Sequence, residues 1–262
     1  MRWNIDPILF KLGPLQIRWY GLFFATGILL GAQAITRVFQ QRNLKSEHAE
    51  RLTIWIVIGM ILGAHLVHLV FYEPRSFIDN PRRIIEIGVG LASHGGGLGA
   101  IIALALFCKR YQLDFHRHAD ASLVAALWVP PWVRIGNFFN SEIVGRPTDL
   151  PWGIIFERRG YAIPRHPSQL YEALAGFALL AFALWINAKF RDRLRPGATF
   201  YLLLFVYFII RFILEFFKAY EAIDPSSPLT MGQYLSIPFL LFCAYMLFIS
   251  KKRNIWSPPE KG

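Results

Sequence analysis

Phe200-Tyr201-Leu202-Leu203-Leu204-Phe205-Val206-Tyr207-Phe208-Ile209-Ile210-Arg211-Phe212-Ile213-Leu214-Glu215-Phe216-Phe217 is an apolar run interrupted by one arginine and one glutamate. A bilayer-spanning helix needs about 20 mostly apolar residues, so 198–218 reads as a span with two charges inside it. Six further stretches read the same way, at 18–38, 53–72, 91–109, 119–138, 168–188 and 232–250. The expected fold is an all-α polytopic membrane protein of about seven transmembrane helices. Composition agrees. The chain is 55% hydrophobic and 17% charged, against about 25% charged for an average soluble domain, so it has too little polar material to coat a water-facing surface. The 16% aromatic content excludes a disordered chain.

The net charge of +11 sits in short clusters between apolar runs. Nucleic acid would need a continuous patch or helix stripe, so anionic membrane lipids are the better partner. Cys108 and Cys243 lie inside apolar runs with no disulfide framework or metal-ligand spacing. The leading 18 residues mix Asp6 with Arg2 and Lys11 and do not resemble the charged start of a cleaved signal peptide. Residues 139–167 carry Gly145, Pro147, Pro151, Gly153, Gly160 and Pro164, which predicts an irregular extramembrane cap. Lys and Arg are slightly more numerous around the 1–2, 3–4 and 5–6 loops and the C-terminus. The positive-inside rule then puts the C-terminus in the cytoplasm and the N-terminus outside. No repeat divides the chain, so 1–262 is expected to be one integral-membrane domain ending in a cytoplasmic tail at 251–262. Small residues four apart, Gly27 with Gly31, Gly59 with Gly63 and Gly95 with Gly99, predict close helix contacts in lipid.

Charges inside a span each need a partner or a task. Tyr207, Arg211 and Glu215 recur at every fourth residue, hence on one helix face. Two readings fit: an Arg–Glu pair that staples helices, or a guanidinium whose planar fork receives a lipid phosphate. Arg134 and Asn137 lie one turn apart behind Pro130-Pro131, which breaks the helical ladder. Broken backbone at membrane depth needs cover from protein or a wet cavity, although Arg134 by position alone also suits an interfacial, snorkelling role. Ser93-His94-Gly95-Gly96-Gly97 opens another span; its backbone N–H groups would suit an anion, and His94 titrates near neutrality or is structural. The string resembles an esterase oxyanion loop, but no Gly-x-Ser-x-Gly nucleophile elbow occurs. His166-Pro167-Ser168-Gln169-Leu170-Tyr171-Glu172 reads mainly as a helix start, with Gln169 and Glu172 able to face a cavity.

Together, the block from Arg134-Ile135-Gly136-Asn137-Phe138-Phe139-Asn140-Ser141-Glu142 to Gly145-Arg146 and the block from Arg165-His166-Pro167-Ser168-Gln169 to Glu172 resemble the bacterial phosphatidylglycerol:prolipoprotein diacylglyceryl transferases. So do Arg18-Trp19-Tyr20-Gly21, His94-Gly95-Gly96, Arg211 to Phe217, and Met231-Gly232-Gln233 with Ser236-Ile237-Pro238. The matches run in family order over nearly the whole chain. Family members usually carry an arginine and a Gly-Tyr pair where Ala64-His65-Leu66-Val67-His68 stands here.

The resemblance implies a seven-helix bacterial inner-membrane enzyme that moves diacylglycerol from phosphatidylglycerol to the lipobox cysteine in a preprolipoprotein signal peptide, releasing glycerol phosphate. It also implies that Tyr20, His94, Arg134, Asn137, Glu142, Gly145, Arg211 and Glu215 matter for activity, and that Asp120 fills an acidic position. On this reading Arg134 and Arg211 hold the phosphate and neutralise the leaving group. His94 takes the thiol proton. Tyr20, Asn137, Gly95 and Gly96 fix the glyceryl end, and Glu142, Gly145, Arg146 and Glu215 complete the substrate site. Such a displacement needs no metal or dissociable cofactor. Two competing readings are a carrier for an anionic solute, which commonly shows repeated halves, and a family member that binds lipid without catalysis.

Overall fold

The computed structural model describes residues 1–71, 73, 80–85, 92–219 and 227–249. In chain order these form β1 (Arg2–Trp3), β2 (Ile8–Leu12), β3 (Leu15–Arg18), α1 (Trp19–Gln41), α2 (Ser46–Phe71), α3 (Ser93–Arg110), α4 (Phe115–Ala126), α5 (Val129–Phe139), β4 (Ile155–Phe156), α6 (Ser168–Phe190), α7 (Ala198–Leu214) and α8 (Met231–Ala244), with short 3₁₀ turns between some of them. The expected tail at 251–262 lies outside the described residues, as do residues 72, 91 and 250 at the ends of three expected spans.

The polytopic all-α expectation holds. Five of the seven expected segments are long and apolar enough to cross a bilayer: α1, α2, α6, α7 with its trailing turn to Phe217, and α8 continued to Phe248. At most 33% of each hydrophobic window is buried inside the protein. The rest is apolar surface, such as Leu66 and Val70 on α2 or Leu241 on α8, which lipid satisfies and water does not. The segment expected at 119–138 differs from a single span. It is two helices, α4 and α5, separated at Leu127-Trp128. Pro130 and Pro131 stand in the first turn of α5, where a missing N–H is harmless, whereas inside a continuous helix each would remove a bond and clash with the preceding turn.

The chain forms two compact units, Phe39–Ala121 and Met1–Val38 together with Ser122–Gly262. In the first, α2 and α3 touch through glycines. A Cβ at Gly63 would collide with the Gly95 carbonyl, and one at Gly99 with the Gly59 carbonyl. The spacing of small residues thus produced the backbone contact it predicts in lipid. Gly96 donates its N–H to Ala92 O at 3.1 Å, so that group, expected to be open to an anion, belongs to the helix. Arg42 and Asp120 form a buried ion pair at 3.4 Å.

In the second unit the 139–167 cap has a small core of its own. Phe138, Val144, Ile154 and Phe156 are buried and packed by Trp3, Phe139, Tyr161 and Leu170. β1 pairs in parallel with β4, Arg2 opposite Ile155 and Trp3 opposite Phe156, and the Met1 ammonium donates to Gly153 O at 3.3 Å. The N-terminus and the cap therefore lie together. β2 and β3 form an antiparallel hairpin that runs directly into α1. Gly13 turns it at φ +58°, a backbone region that glycine enters without a steric cost.

Candidate functional site

The site grows from α5. Because this helix starts at Val129, Arg134 falls in its second turn and Asn137 one turn later. Arg134 donates through Nη1 to Asn137 Oδ1 at 3.3 Å. Asn137 Nδ2 donates to Glu142 Oε2 at 3.0 Å, and Asn140 Nδ2 to Glu142 Oε1 at 3.3 Å. The backbone then turns sharply through Ser141 at φ 56° and Ile143 at φ 54°. A β-branched residue there is a genuine outlier, of the kind that costs about 1–3 kcal/mol and persists where surrounding contacts over-determine it. Those contacts are present. Ser168 Oγ donates to Ile143 O at 2.7 Å, Arg159 Nε donates to Ser141 O at 2.9 Å, and the Gln169 amide bonds the Glu142 carbonyl.

Two glycines let this segment close. A Cβ at Gly136 would stand 2.9 Å from Cδ2 of Tyr20, so its absence seats Tyr20 on α5. A Cβ at Gly145 would stand 2.5 Å from Phe217 O and 2.6 Å from His166 O. Without it, Gly145 N donates to His166 O at 3.0 Å and Arg146 N to Phe217 O at 2.9 Å. Arg146 Nε adds a bond to Lys218 O at 2.8 Å. The central block is thereby tied to the end of α7.

An alternating chain of charges links α5, α6 and the end of α7. Arg134 Nε lies 3.0 Å from Glu172 Oε2, Glu172 Oε1 lies 2.7 Å from Lys218 Nζ, and Lys218 Nζ donates to Glu215 Oε1 at 3.0 Å. The Arg211 guanidinium reaches Glu215 Oε1 at 3.7 Å. Glu215 is clamped from its other side: Thr230 Oγ1 donates to its Oε2 at 3.1 Å, and a Cβ on Gly232 would collide with its carboxylate. The first turn of α8 thus faces this carboxylate, where the helix dipole favours negative charge. Thr230 and Gln233 close that helix end with a capping box.

The two ends of the chain, Arg134 and Arg211, both line a cavity of about 60 Å³ between α5, α6 and α7, together with Glu172 and Tyr207. That is room for a few water molecules or a phosphate-sized group. Its remaining walls, Pro130, Pro131, Leu179, Ile210 and Leu214 among them, are apolar. Two guanidiniums converging on one small apolar-walled space suit an oxyanion attached to hydrocarbon.

The chain is similar to known proteins over nearly its whole length. A family profile described as prolipoprotein diacylglyceryl transferase matches residues 7–249. The chain belongs to this family. A curated relative from Tolumonas auensis, called phosphatidylglycerol–prolipoprotein diacylglyceryl transferase, is 41% identical over 96% of this chain and 98% of its own length. Proteins of the same name from Chloroherpeton thalassium and Phenylobacterium zucineum are 38% and 36% identical, covering 96% and 98% of this chain and 94% and 96% of their own. The chain is accordingly a membrane transferase of lipoprotein biosynthesis.

Among the residues singled out by sequence, this transferase brings Tyr20, Arg134, Asn137, Glu142, Gly145, Arg146, Arg211 and Glu215 into one unit. Gly95 and Gly96 belong to the Phe39–Ala121 unit, Gly95 packed on Val67. His94 is in the first turn of α3 in that unit, and its side chain lies outside the described part. Sequence reasoning gave Glu172 no role beyond facing a cavity and missed Lys218 and Thr230. Lys218, three residues past Glu215, carried only the signal of an i,i+3 pair. Thr230 was legible from the Thr-x-x-Gln capping pattern. At the cap edge, burial and then the nearby Arg146 hold the His166 imidazole below its ordinary titration range, and its Nδ1 sits 3.1 Å from the Tyr171 hydroxyl.

Proposed function

We propose that this chain transfers the diacylglyceryl group of phosphatidylglycerol to the lipobox cysteine thiol of a preprolipoprotein signal peptide, releasing glycerol phosphate. The observation that carries the reading is the convergence of Arg134 and Arg211 on one cavity from the two ends of a single ion chain. The thiolate attacks the glyceryl carbon bonded to the phosphate oxygen. A C–S bond forms, the C–O bond breaks, and its electron pair leaves on the phosphate. The leaving group gains negative charge as that bond breaks, which is where fixed guanidiniums lower the barrier most.

Arg134 and Arg211 bind the phosphate and neutralise the departing glycerol phosphate. Asn137 and Tyr20 orient the glyceryl end. Glu142 holds Asn137 in place, while Gly145, Arg146 and Glu215 fix the segment and the charge that position the arginines. His94 takes the thiol proton; a free thiol has a pKa near 8.5, so a neighbouring base and two nearby cations both raise the thiolate fraction. The whole of 1–262 acts as one integral-membrane catalytic domain in the bacterial inner membrane. The cap at 139–167 and the N-terminus face outward, and the tail at 251–262 faces the cytoplasm.

The test is mass spectrometry of a synthetic lipobox peptide incubated with the detergent-purified full chain and phosphatidylglycerol. A diacylglyceryl mass increase on the peptide cysteine is expected from the wild type, falling by about 10²-fold or more in Arg134→Ala and in Arg211→Ala. An unmodified peptide with folded wild-type protein would overturn the reading. Near-normal turnover by His94→Gln would remove His94 from the proton transfer.

A further inference from the structure

The hairpin in front of α1 has two unlike faces, and cross-strand pairing makes them. In the sequence Ile8-Leu9-Phe10 is an unbroken apolar run. In the folded register Phe10 stands opposite Ile17, Lys11 opposite Gln16 and Leu12 opposite Leu15. Paired residues share a face and successive ones alternate, so Phe10, Leu12, Leu15 and Ile17 form one face and Lys11, Gln16 and Arg18 the other. The apolar face is open: Phe10 is 45% exposed, Leu12 60% and Leu15 59%. A two-stranded hairpin is marginal in water and needs a surface for such a face.

The points of attachment identify that surface. Trp19 N donates to Pro7 O at 3.1 Å and closes the base of the hairpin, and β3 passes into α1 without a linker. Leu22 and Phe24, in the first turns of α1, are exposed apolar residues of a membrane span. At 1.5 Å rise per residue Leu22 lies about 6 Å beyond Arg18, so hydrocarbon begins close to the hairpin. The base is also tied to the cap, where Arg158 Nη2 lies 3.4 Å from Asp6 Oδ2. The sheet has two strands among the described residues, so each strand has an open edge, and open edges do not occur within hydrocarbon. The headgroup–acyl boundary meets both demands: it covers the apolar face and leaves the edges solvated. We propose that the β2–β3 hairpin is a membrane-surface anchor. Phe10, Leu12, Leu15 and Ile17 enter the acyl boundary of the leaflet at the N-terminal end of α1, and Lys11 and Arg18 lie among the phosphates of anionic headgroups. Through Asp6 and the β1–β4 pair the anchor sets the height of the cap over the bilayer.

The test uses the full chain in vesicles of phosphatidylethanolamine and phosphatidylglycerol, with a bimane fluorophore on one introduced cysteine, Leu12→Cys, Leu15→Cys, Lys11→Cys or Gln16→Cys. Cys108 and Cys243 are buried, and wild type taken through the same labelling is the blank. Lipids brominated near the headgroup end of their acyl chains should quench labels at 12 and 15 severalfold more than labels at 11 and 16, and aqueous iodide should quench in the opposite order. Equal iodide quenching on the two faces would place the hairpin in water and overturn the proposal. Labels at 12 and 15 shielded from both quenchers, increasingly so at higher protein-to-lipid ratio, would put a second copy of the chain on this face and overturn it as well. Lys11→Gln with Arg18→Gln should lower bromolipid quenching of the label at 12 in these vesicles and leave it unchanged in phosphatidylcholine vesicles. Equal quenching with and without the two cations would remove the anionic headgroups from the proposal. Every readout is independent of diacylglyceryl transfer, so failure of the function proposed above and failure of the anchor are separate results.

Discussion

The α2–α3 contact and the α5–α6–α7 ion chain solve opposite problems in the same apolar surroundings. At the first, side chains are deleted: Gly59, Gly63, Gly95 and Gly99 bring two helix backbones together, and dispersion between close-packed surfaces holds them. At the second, charges are retained inside a bundle and neutralised in sequence from Arg134 through Glu172, Lys218 and Glu215 to Arg211. Each buried charge costs several kcal/mol to desolvate and is tolerated through its partners. The glycine contact tolerates no added atom. The ion chain tolerates a change of shape but no unpaired change of charge. The first is a device of stability, the second of chemistry.

That division is open to being broken. The largest effect is expected at Gly63→Leu, whose side chain would overlap the Gly95 carbonyl. Folded yield after detergent extraction, read by size-exclusion chromatography, should fall to near zero. A well-folded Gly63→Leu protein would show that the helices can separate and that the close contact is dispensable. Next, Arg134→Ala and Arg211→Ala should lose transfer as stated while their thermal unfolding midpoint in detergent moves far less than that of any folded glycine-contact variant. Unfolding on the same scale would make the ion chain a structural staple instead.

Gly232→Ala sharpens the comparison, because it is a glycine serving the charges. Its methyl group would displace the Glu215 carboxylate, with an expected transfer loss of about tenfold for about 1–2 kcal/mol of disturbed hydrogen bonding. Gly97→Ala is the control, since nothing lies within 4 Å of a Cβ there, and its activity should match the wild type. A smaller effect is expected at Ser141→Gly, which relieves the φ of 56° and should raise the unfolding midpoint by the equivalent of about 0.5–1 kcal/mol.

The smallest effect concerns pH. His166 titrates below its ordinary value in the folded protein, so as pH falls through about 6.5 the unfolded chain takes up the proton first. Stability contributed by this group is thus complete above pH 6.5 and declines below it. His166→Gln should flatten that acid-side decline in a melting series from pH 8 to 5. An unchanged slope would place the acid sensitivity elsewhere.

Much of this was legible in the sequence because its physical cause is local. Hydrocarbon excludes polar backbone, so long apolar runs had to be helices. Prolines had to interrupt the run before Arg134. Glycines four apart had to mark close contacts. The series Tyr207, Arg211, Glu215 gave a helix face by period alone. What was not legible depends on residues distant along the chain. The split of 119–138 into α4 and α5 follows from Pro130 and Pro131, but its consequence, Arg134 aimed at Glu172, needs α6 beside α5. The N-terminal hairpin and the β1–β4 pair carry no strong alternation, and backbone bonds to Ile155 and Phe156 fix the pair. The turn at Ser141 and Ile143 has no glycine to announce it and is held by Arg159, Ser168 and Gln169.

By itself, the sequence determined that this is a helical membrane protein, where most of its long apolar helices run, and which motifs place it among the diacylglyceryl transferases, since these follow from local hydrophobicity, helix period and residue order. Tertiary structure alone decided which carboxylate meets which cation and that Lys218 stands between them. Ion pairing depends on separations of a few ångströms between side chains on different helices, and that spacing exists once the helices have packed.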